Sequence, residues 1–347
     1  MRLGLILKYC QLVCWLLATP ALVAAPCWLS QPVTSEHSGY IGVAEKFDSD
    51  GRIALASSRR SALRQLYAAM GDTMPQNIQD DKELAEMQTL DLQGQSYYFA
   101  KDFVGRGAVF SYISTGIPSE TACAVNRCRS ERCEPAWLCG QSADSDAAEV
   151  LGVGEWRISD KQQWMDAVKS ASDTAAYWGI ADVSSDYRLL RASAAQQYLS
   201  FVDHDISVDT DASALPPLTL VESCRDGSTL YQRWLYERQA QFKQMQQHNA
   251  AMGRASVASY TAAGTLQSVI DLAIRKAYAD LAQNKDVRVK TIQKTVSGES
   301  AGRGYSMEAV SLTSHQRLSA SLSRLSITPR VGKPYVVEVE LLENTVH

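Results

Sequence analysis

Beyond its first residues the 347-residue chain has no apolar run of membrane length, no excess of basic residues, and none of the short motifs that cradle phosphate or hold a catalytic zinc. Each absence removes a class of function. A helical span needs ~20 consecutive apolar residues, and none follows the N-terminal segment. Lys and Arg number 34 against 38 Asp and Glu, a formal charge of -4, so nucleic acid and anionic lipid, which both demand a basic surface, are excluded as main partners. No phosphate loop, dinucleotide fingerprint or zinc-protease helix occurs. Gly42 and the pair Gly152 and Gly154 lack the third glycine and following acid of a dinucleotide site. They read instead as strand positions where another backbone comes close.

What the sequence does contain is a repeat. Pro26-Cys27-Trp28-Leu29 leads to Tyr40-Ile41-Gly42-Val43-Ala44, and Pro135-Ala136-Trp137-Leu138 leads to Val150-Leu151-Gly152-Val153-Gly154. Copies about a hundred residues apart are long enough to bury their own cores, which means tandem domains. The recurrence of Trp28 and Trp137 at the same place marks them as core anchors.

The N-terminus carries Arg2 and Lys8, an apolar run from Tyr9 to Leu17, then Val23, Ala24 and Ala25. That is the three-part pattern of a secretory signal peptide spanning 1–25, and it predicts an exported mature protein. A retained anchor is the competing reading, against which the run is shorter than the ~20 residues of a span. Pro26 directly before Cys27 does not fit a lipid-attachment motif.

Of the eight cysteines, Cys10 and Cys14 leave with the signal peptide, and Cys27, Cys123, Cys128, Cys133, Cys139 and Cys224 remain. An even number in an exported protein reads as disulfides. Equivalent positions in the two copies predict Cys27–Cys123 and Cys139–Cys224, leaving Cys128 with Cys133. A zinc cluster at Cys123, Cys128, Cys133 and Cys139 is the other reading, but it lacks the two-residue knuckle. No metal or cofactor is expected.

In the first copy (26–125), Phe47 to Gly51 is a turn before a helix carrying Ala54, Ser58, Ala62, Leu66 and Met70, and strands are predicted at 96–100 and 108–113. The second copy (134–226) places Asp160 near a helix start, then Trp164, Ala167, Ala171 and Ala175 on one face, then strands near 187–190 and 197–202. A glutamine-rich connecting helix is expected over 227–253, with Tyr231, Leu235, Phe242 and Met245 on one stripe. The last region (255–347) runs as a helix from Ser268 to Gln283, a strand at 287–292, a serine-rich amphipathic stretch from Met307 to Leu325 and a final strand at 335–341. Its Ala273, Arg275, Ala277 and Leu281 match Ser58, Arg60, Ala62 and Leu66, marking a diverged third copy without the Trp opening. The expected class is α+β, small tandem modules each with a helix on an antiparallel sheet.

Gly42-Val43-Ala44 and Gly152-Val153-Gly154 before their helices, and Ala273 to Ala277 through Val287-Arg288-Val289 to Tyr335-Val336-Val337-Glu338-Val339, resemble the LPP-twenty-like lipoprotein domains of Gram-negative envelopes. The last region is also similar to the N-terminal domain of the flagellar assembly protein FlgT. The resemblance implies a compact α+β module in the periplasm or at the outer membrane, used in envelope or flagellar assembly, without enzymatic activity. The missing lipid-attachment motif and the added cysteines depart from that pattern.

Two constellations could carry chemistry. Gly298-Glu299-Ser300-Ala301-Gly302 matches a nucleophile elbow, which would make the chain a serine hydrolase using Ser300. The elbow needs a strand before, a helix after and an acid and histidine downstream, where only His315 and His347 stand. Asp203, His204, Asp205, Asp209 and Asp211 could hold a cation, but the EF-hand order is absent. His37 and His248 have no nearby partner in sequence and read as surface residues. The expected function is therefore protein–protein assembly by an exported, non-enzymatic envelope protein, with envelope or flagellar proteins or further copies of itself as partners. A serine hydrolase and a polysaccharide-binding module using Trp28 or Trp137 are the alternatives.

Overall fold

A computed structural model describes residues 25–35, 38–46, 51–118, 127–142, 147–194, 197–210, 218–237, 246–256, 265–285, 288–290, 298–300, 303–330 and 333–345. Residues 1–24, His37, Phe47 to Asp50, Cys123, Asp211, Phe242, Met245 and His347 lie outside the described residues.

Helices pack on antiparallel sheets throughout, an α+β arrangement. After the short helix α1 (Cys27–Ser30) come β1 (Gly39–Glu45) and α2 (Gly51–Ala69). Then follow α3 (Asp81–Glu86), β2 (Thr89–Leu92), β3 (Gln95–Phe99), β4 (Phe103–Gly105) and β5 (Ala108–Ser114). These strands form one sheet in the order β1-β5-β3-β2, with β4 on β5. The alanine spacing explains the seat of α2: Ala54, Ser58, Ala62 and Leu66 form its buried stripe. A Cβ on Gly42 of β1 would overlap the Ser58 carbonyl and the Ala62 nitrogen, so glycine is what lets this helix lie on this strand. The Ser58 hydroxyl, buried at the contact, meets the Ser111 hydroxyl of β5 at 2.6 Å.

The next sheet joins β7 (Ala147–Gly154), β10 (Leu218–Asp226) and β11 (Thr229–Glu237) in the order β10-β11-β7, covered by α4 (Asp160–Ala176). The α4 N-terminus is capped by the Ser159 hydroxyl, which accepts from the Gln162 N–H at 3.2 Å. Buried Trp164, Ala167, Ala171 and Ala175 face the sheet, and Gly152 lies under the Ala167 carbonyl.

The third and largest sheet contains β12 (Gln246–Ser256), β16 (Lys333–Thr345), β15 (Arg303–Arg330), β8 (Gly179–Ala194) and β9 (Gln197–Thr210), in that order. The short strands β6 (Gly140–Ser142), β13 (Arg288–Lys290) and β14 (Gly298–Ser300) also pair with β15. Helix α5 (Leu266–Lys285) covers β12 and β16 and buries Leu266, Val269, Ile270, Ala273, Ala277 and Leu281. The same pairing order recurs in all three sheets. A strand that leads into a helix (β1, β7, β12) lies beside the last strand of its stretch (β5, β11, β16), which lies beside an earlier one (β3, β10, β15).

Strand β15 serves two neighbours in turn. Tyr305 to Ala320 pair with β8, and Ala320 onwards pairs with β16. The hairpin β8–β9 with the first half of β15 thus widens the third sheet, and β9 ends it among the described residues.

Two expectations fail here: the connecting helix over 227–253, and the place of the strands near 187–190 and 197–202 in the second copy, since β8 and β9 join the sheet of β15. Residues 227–253 hold no connecting helix where they are described: β11 and β12 stand there instead. From Gln232 on, burial alternates, with Gln232, Trp234 and Tyr236 buried and Arg233 and Leu235 half-buried, the period of a strand. The four-residue step from Tyr231 to Leu235 fits both a strand and a helix, which is why it misled. Since β11 pairs with β7 from Leu230 to Glu237, the second sheet also runs past residue 226. The serine-rich stretch from Met307 to Leu325 is part of β15, with Leu318, Ala320 and Leu322 buried at alternate positions. A register shift after Leu322 moves the buried set to Leu325 and Ile327.

Candidate binding site

The hairpin β4–β5, the start of α4, the turn between β10 and β11, and α1 enclose a cavity of about 360 Å³. Its apolar walls are Leu29, Phe103, Phe110, Trp164 and Leu230. Phe110 stands edge-on to Trp164 with centroids 5.5 Å apart, and Phe103 tilts against Phe110 at 6.2 Å. Such offset and edge geometries are the favoured ones for aromatic pairs.

Asp160 organises the polar end. Its carboxylate accepts from the Arg106 backbone N–H at 2.7 Å, and from the guanidinium groups of Arg106 and Arg225, each at 3.3 Å. The Asp160 N–H returns a bond to the Arg106 carbonyl at 2.9 Å. This two-way backbone link ties the hairpin tip to the helix start, and Gly105 next to it leaves room for the carboxylate. Arg225 also donates to the Gln163 side-chain carbonyl at 2.5 Å, and Gln163 in turn donates to the carbonyl of Gly154 at 3.0 Å. Burial lowers the Arg225 pKa and the Asp160 carboxylate works against that; a guanidinium is not deprotonated in proteins, so Arg225 stays a cation at neutral pH. Arg106 lies over the Trp156 ring at 5.7 Å, and Trp156 is itself 55% exposed.

The Ser223 hydroxyl at the wall donates to the Leu29 carbonyl at 2.8 Å, and no histidine lines the cavity. Sequence reasoning noted Asp160 only as a helix start and missed Arg106 and Arg225, which lie 54 and 65 positions from it. No local motif joins the three residues; only the docking of hairpin, helix and turn does.

The cysteines pair differently from the expectation for two bridges. Cys128 is joined to Cys224 and Cys133 to Cys139, replacing the expected Cys139–Cys224 and Cys128–Cys133. The backbone is the reason. The Cys128 N–H donates to the Arg225 carbonyl at 2.9 Å, which sets Cys128 beside Cys224 at the cavity wall. The one-turn segment Ser130–Arg132, ended by Cys133 at φ 55°, folds back to bring Cys133 to Cys139. Cys27 is also disulfide-bonded, its partner lying outside the described residues.

The remaining candidates are separated from one another. Gly298–Ser300 pairs with Arg303–Tyr305 as an antiparallel hairpin, not as the strand-turn-helix that a nucleophile elbow needs. His315 faces Ser184 across β15 and β8. Among the described residues no group of three or more His, Cys, Asp or Glu could hold a metal ion. His204 instead meets the Ser185 hydroxyl at 2.9 Å. Trp28 and Trp137 are buried, at 5% and 8% exposure, and Trp28 stacks on Tyr112, so neither offers a face to a sugar. Compared with family models, curated proteins and solved structures, the chain matches none.

Proposed function

We propose that the chain is an exported, non-enzymatic assembly protein of a Gram-negative envelope, built from three diverged copies of one helix-on-sheet module. The first copy spans 26–125, the second begins at 134 and the third ends the chain. The recurring pairing order of the three sheets supports the repeat, and so do the strand glycines Gly42, Gly152 and Gly253, each lying against a helix backbone. Three bridged cysteine sites suit an oxidising compartment such as the periplasm. The resemblance to LPP-twenty-like domains and to FlgT points the same way, towards the outer membrane or a flagellar apparatus.

The observation that carries the assembly reading is β9. It has 14 residues, pairs with β8 along its length, and has no strand on its other side among the described residues. A long free edge is a template for another strand. Sedimentation velocity of the purified exported protein over a wide concentration range tests whether a second copy fills it. Self-assembly predicts species that grow with concentration and vanish in the double variant Ser207→Lys, Asp209→Lys. A monomer throughout, indistinguishable from the variant, contradicts self-assembly.

A further inference from the structure

We propose that the cavity between the β4–β5 hairpin and α4 binds a small amphipathic carboxylate, an apolar chain or ring bearing one anionic head. The argument begins with charge. Arg225 feels one carboxylate, that of Asp160, and one further guanidinium, that of Arg106. Two cations share one anion, which leaves one positive charge at the edge of an apolar space. Gln163 and Asp160 hold Arg225 in place from behind. The guanidinium is therefore fixed before any ligand arrives, and less ordering is needed when one binds.

Shape supplies the second half. A cavity of about 360 Å³ lies within the size range of small-molecule sites. It corresponds to roughly a dozen waters at about 30 Å³ each, enough for a chain or ring of modest size. Phe110, Trp164 and Leu230 give the apolar body its surface, while Arg106 and Arg225 meet the head at the polar end. Guanidinium groups suit a carboxylate because their fork of donors matches its two oxygens. A neutral ligand of the same length would leave the excess charge unmet, and a cation would be repelled by it.

Decanoate and decanol, equal in chain length and different in head group, are the probes, and calorimetric titration of the intact protein is the measurement. Decanoate is expected to bind saturably at least tenfold tighter than decanol, and to weaken as sodium chloride rises. Arg225→Gln and the more exposed Arg106→Gln are each expected to weaken decanoate about tenfold and leave decanol unchanged. Equal affinity for the two probes, no saturable binding of decanoate, or wild-type affinity in both variants would overturn the proposal. If Arg225→Gln fails to fold, Arg106→Gln and the two-probe comparison on the unaltered protein still decide it.

Discussion

Gly253 of β12 lies so close to Ala273 of α5 that a Cβ at the glycine would overlap the alanine carbonyl oxygen and stand 2.7 Å from the Ala277 nitrogen. Gly42 stands in the same relation to Ser58 and Ala62, and Gly152 to Ala167. In each case the absent side chain sets the distance between helix and sheet. Gly253→Ala should therefore cost roughly 1–3 kcal/mol, the usual range for overpacking a filled core. Gly51→Ala, at the start of α2 with nothing within 4 Å of the added methyl, should be neutral or stabilise by up to about 1 kcal/mol. Urea unfolding of the two variants, compared with the parent, checks the contrast.

The bridges should differ in weight. Cys128–Cys224 spans 96 residues and Cys133–Cys139 only 6. In the chain-entropy model the first contributes about 4–5 kcal/mol and the second about 2. Cys128→Ser should thus lower the unfolding midpoint more than Cys133→Ser. Peptide mapping of the non-reduced protein should recover Cys128 with Cys224 and Cys133 with Cys139; a peptide joining Cys139 to Cys224 would refute the pairing.

His204 links β9 to the sheet and to α5. Its ring meets the Ser185 hydroxyl and stands edge-on to Tyr187 at 5.6 Å, and Gln283 of α5 donates to the same hydroxyl at 3.4 Å. Burial first, and Lys276 second, lower the His204 pKa below its ordinary 6.5, while Asp203 and Asp205 oppose them. The neutral ring is thus the form the fold prefers, and the unfolded chain takes up the proton first as pH falls. Stability is therefore complete above pH 6.5 and declines as pH drops from there through the lower folded value. His204→Gln should flatten this part of the stability–pH profile; an unchanged profile would show that another group carries it.

Asp271 on α5 has the opposite sign. Burial raises its pKa above 3.8, while a 2.9 Å bond from the Gln267 amide and the nearby Arg275 pull it down. Its charged form is the one the fold disfavours, so its favourable contribution is present below pH 3.8 and lost as pH rises through the folded value. Asp271→Asn should raise stability at neutral pH and lose that advantage in acid, as thermal melts at pH 7 and pH 3 would show.

The helices and many of the strands were legible in the sequence because their signals are local. Ala54, Ser58, Ala62 and Leu66 repeat at helical spacing, and Gly42 and Gly152 mark where backbones meet. The strands over 229–256 were not legible, since Tyr231 and Leu235 are four residues apart and that step suits both periods. Cys139–Cys224 and Cys128–Cys133 were misassigned because similar positions in a repeat do not determine distance; the Cys128 N–H bond to Arg225 does. The Arg106–Asp160–Arg225 cluster was invisible for the same reason, being assembled by tertiary docking from three separate segments.

The central claim is that the edge of β9, unpaired among the described residues, is an assembly surface, whether its partner is another copy or a different envelope protein. Photo-crosslinking in intact cells tests it most directly, with a photoreactive residue placed at exposed Ser207 on β9 or at exposed Arg64 on α2. The account predicts discrete crosslinked products from position 207 and none from position 64, identified by mass spectrometry as this chain or as another envelope protein. Crosslinks at 64 but not at 207, or none at either, would contradict it.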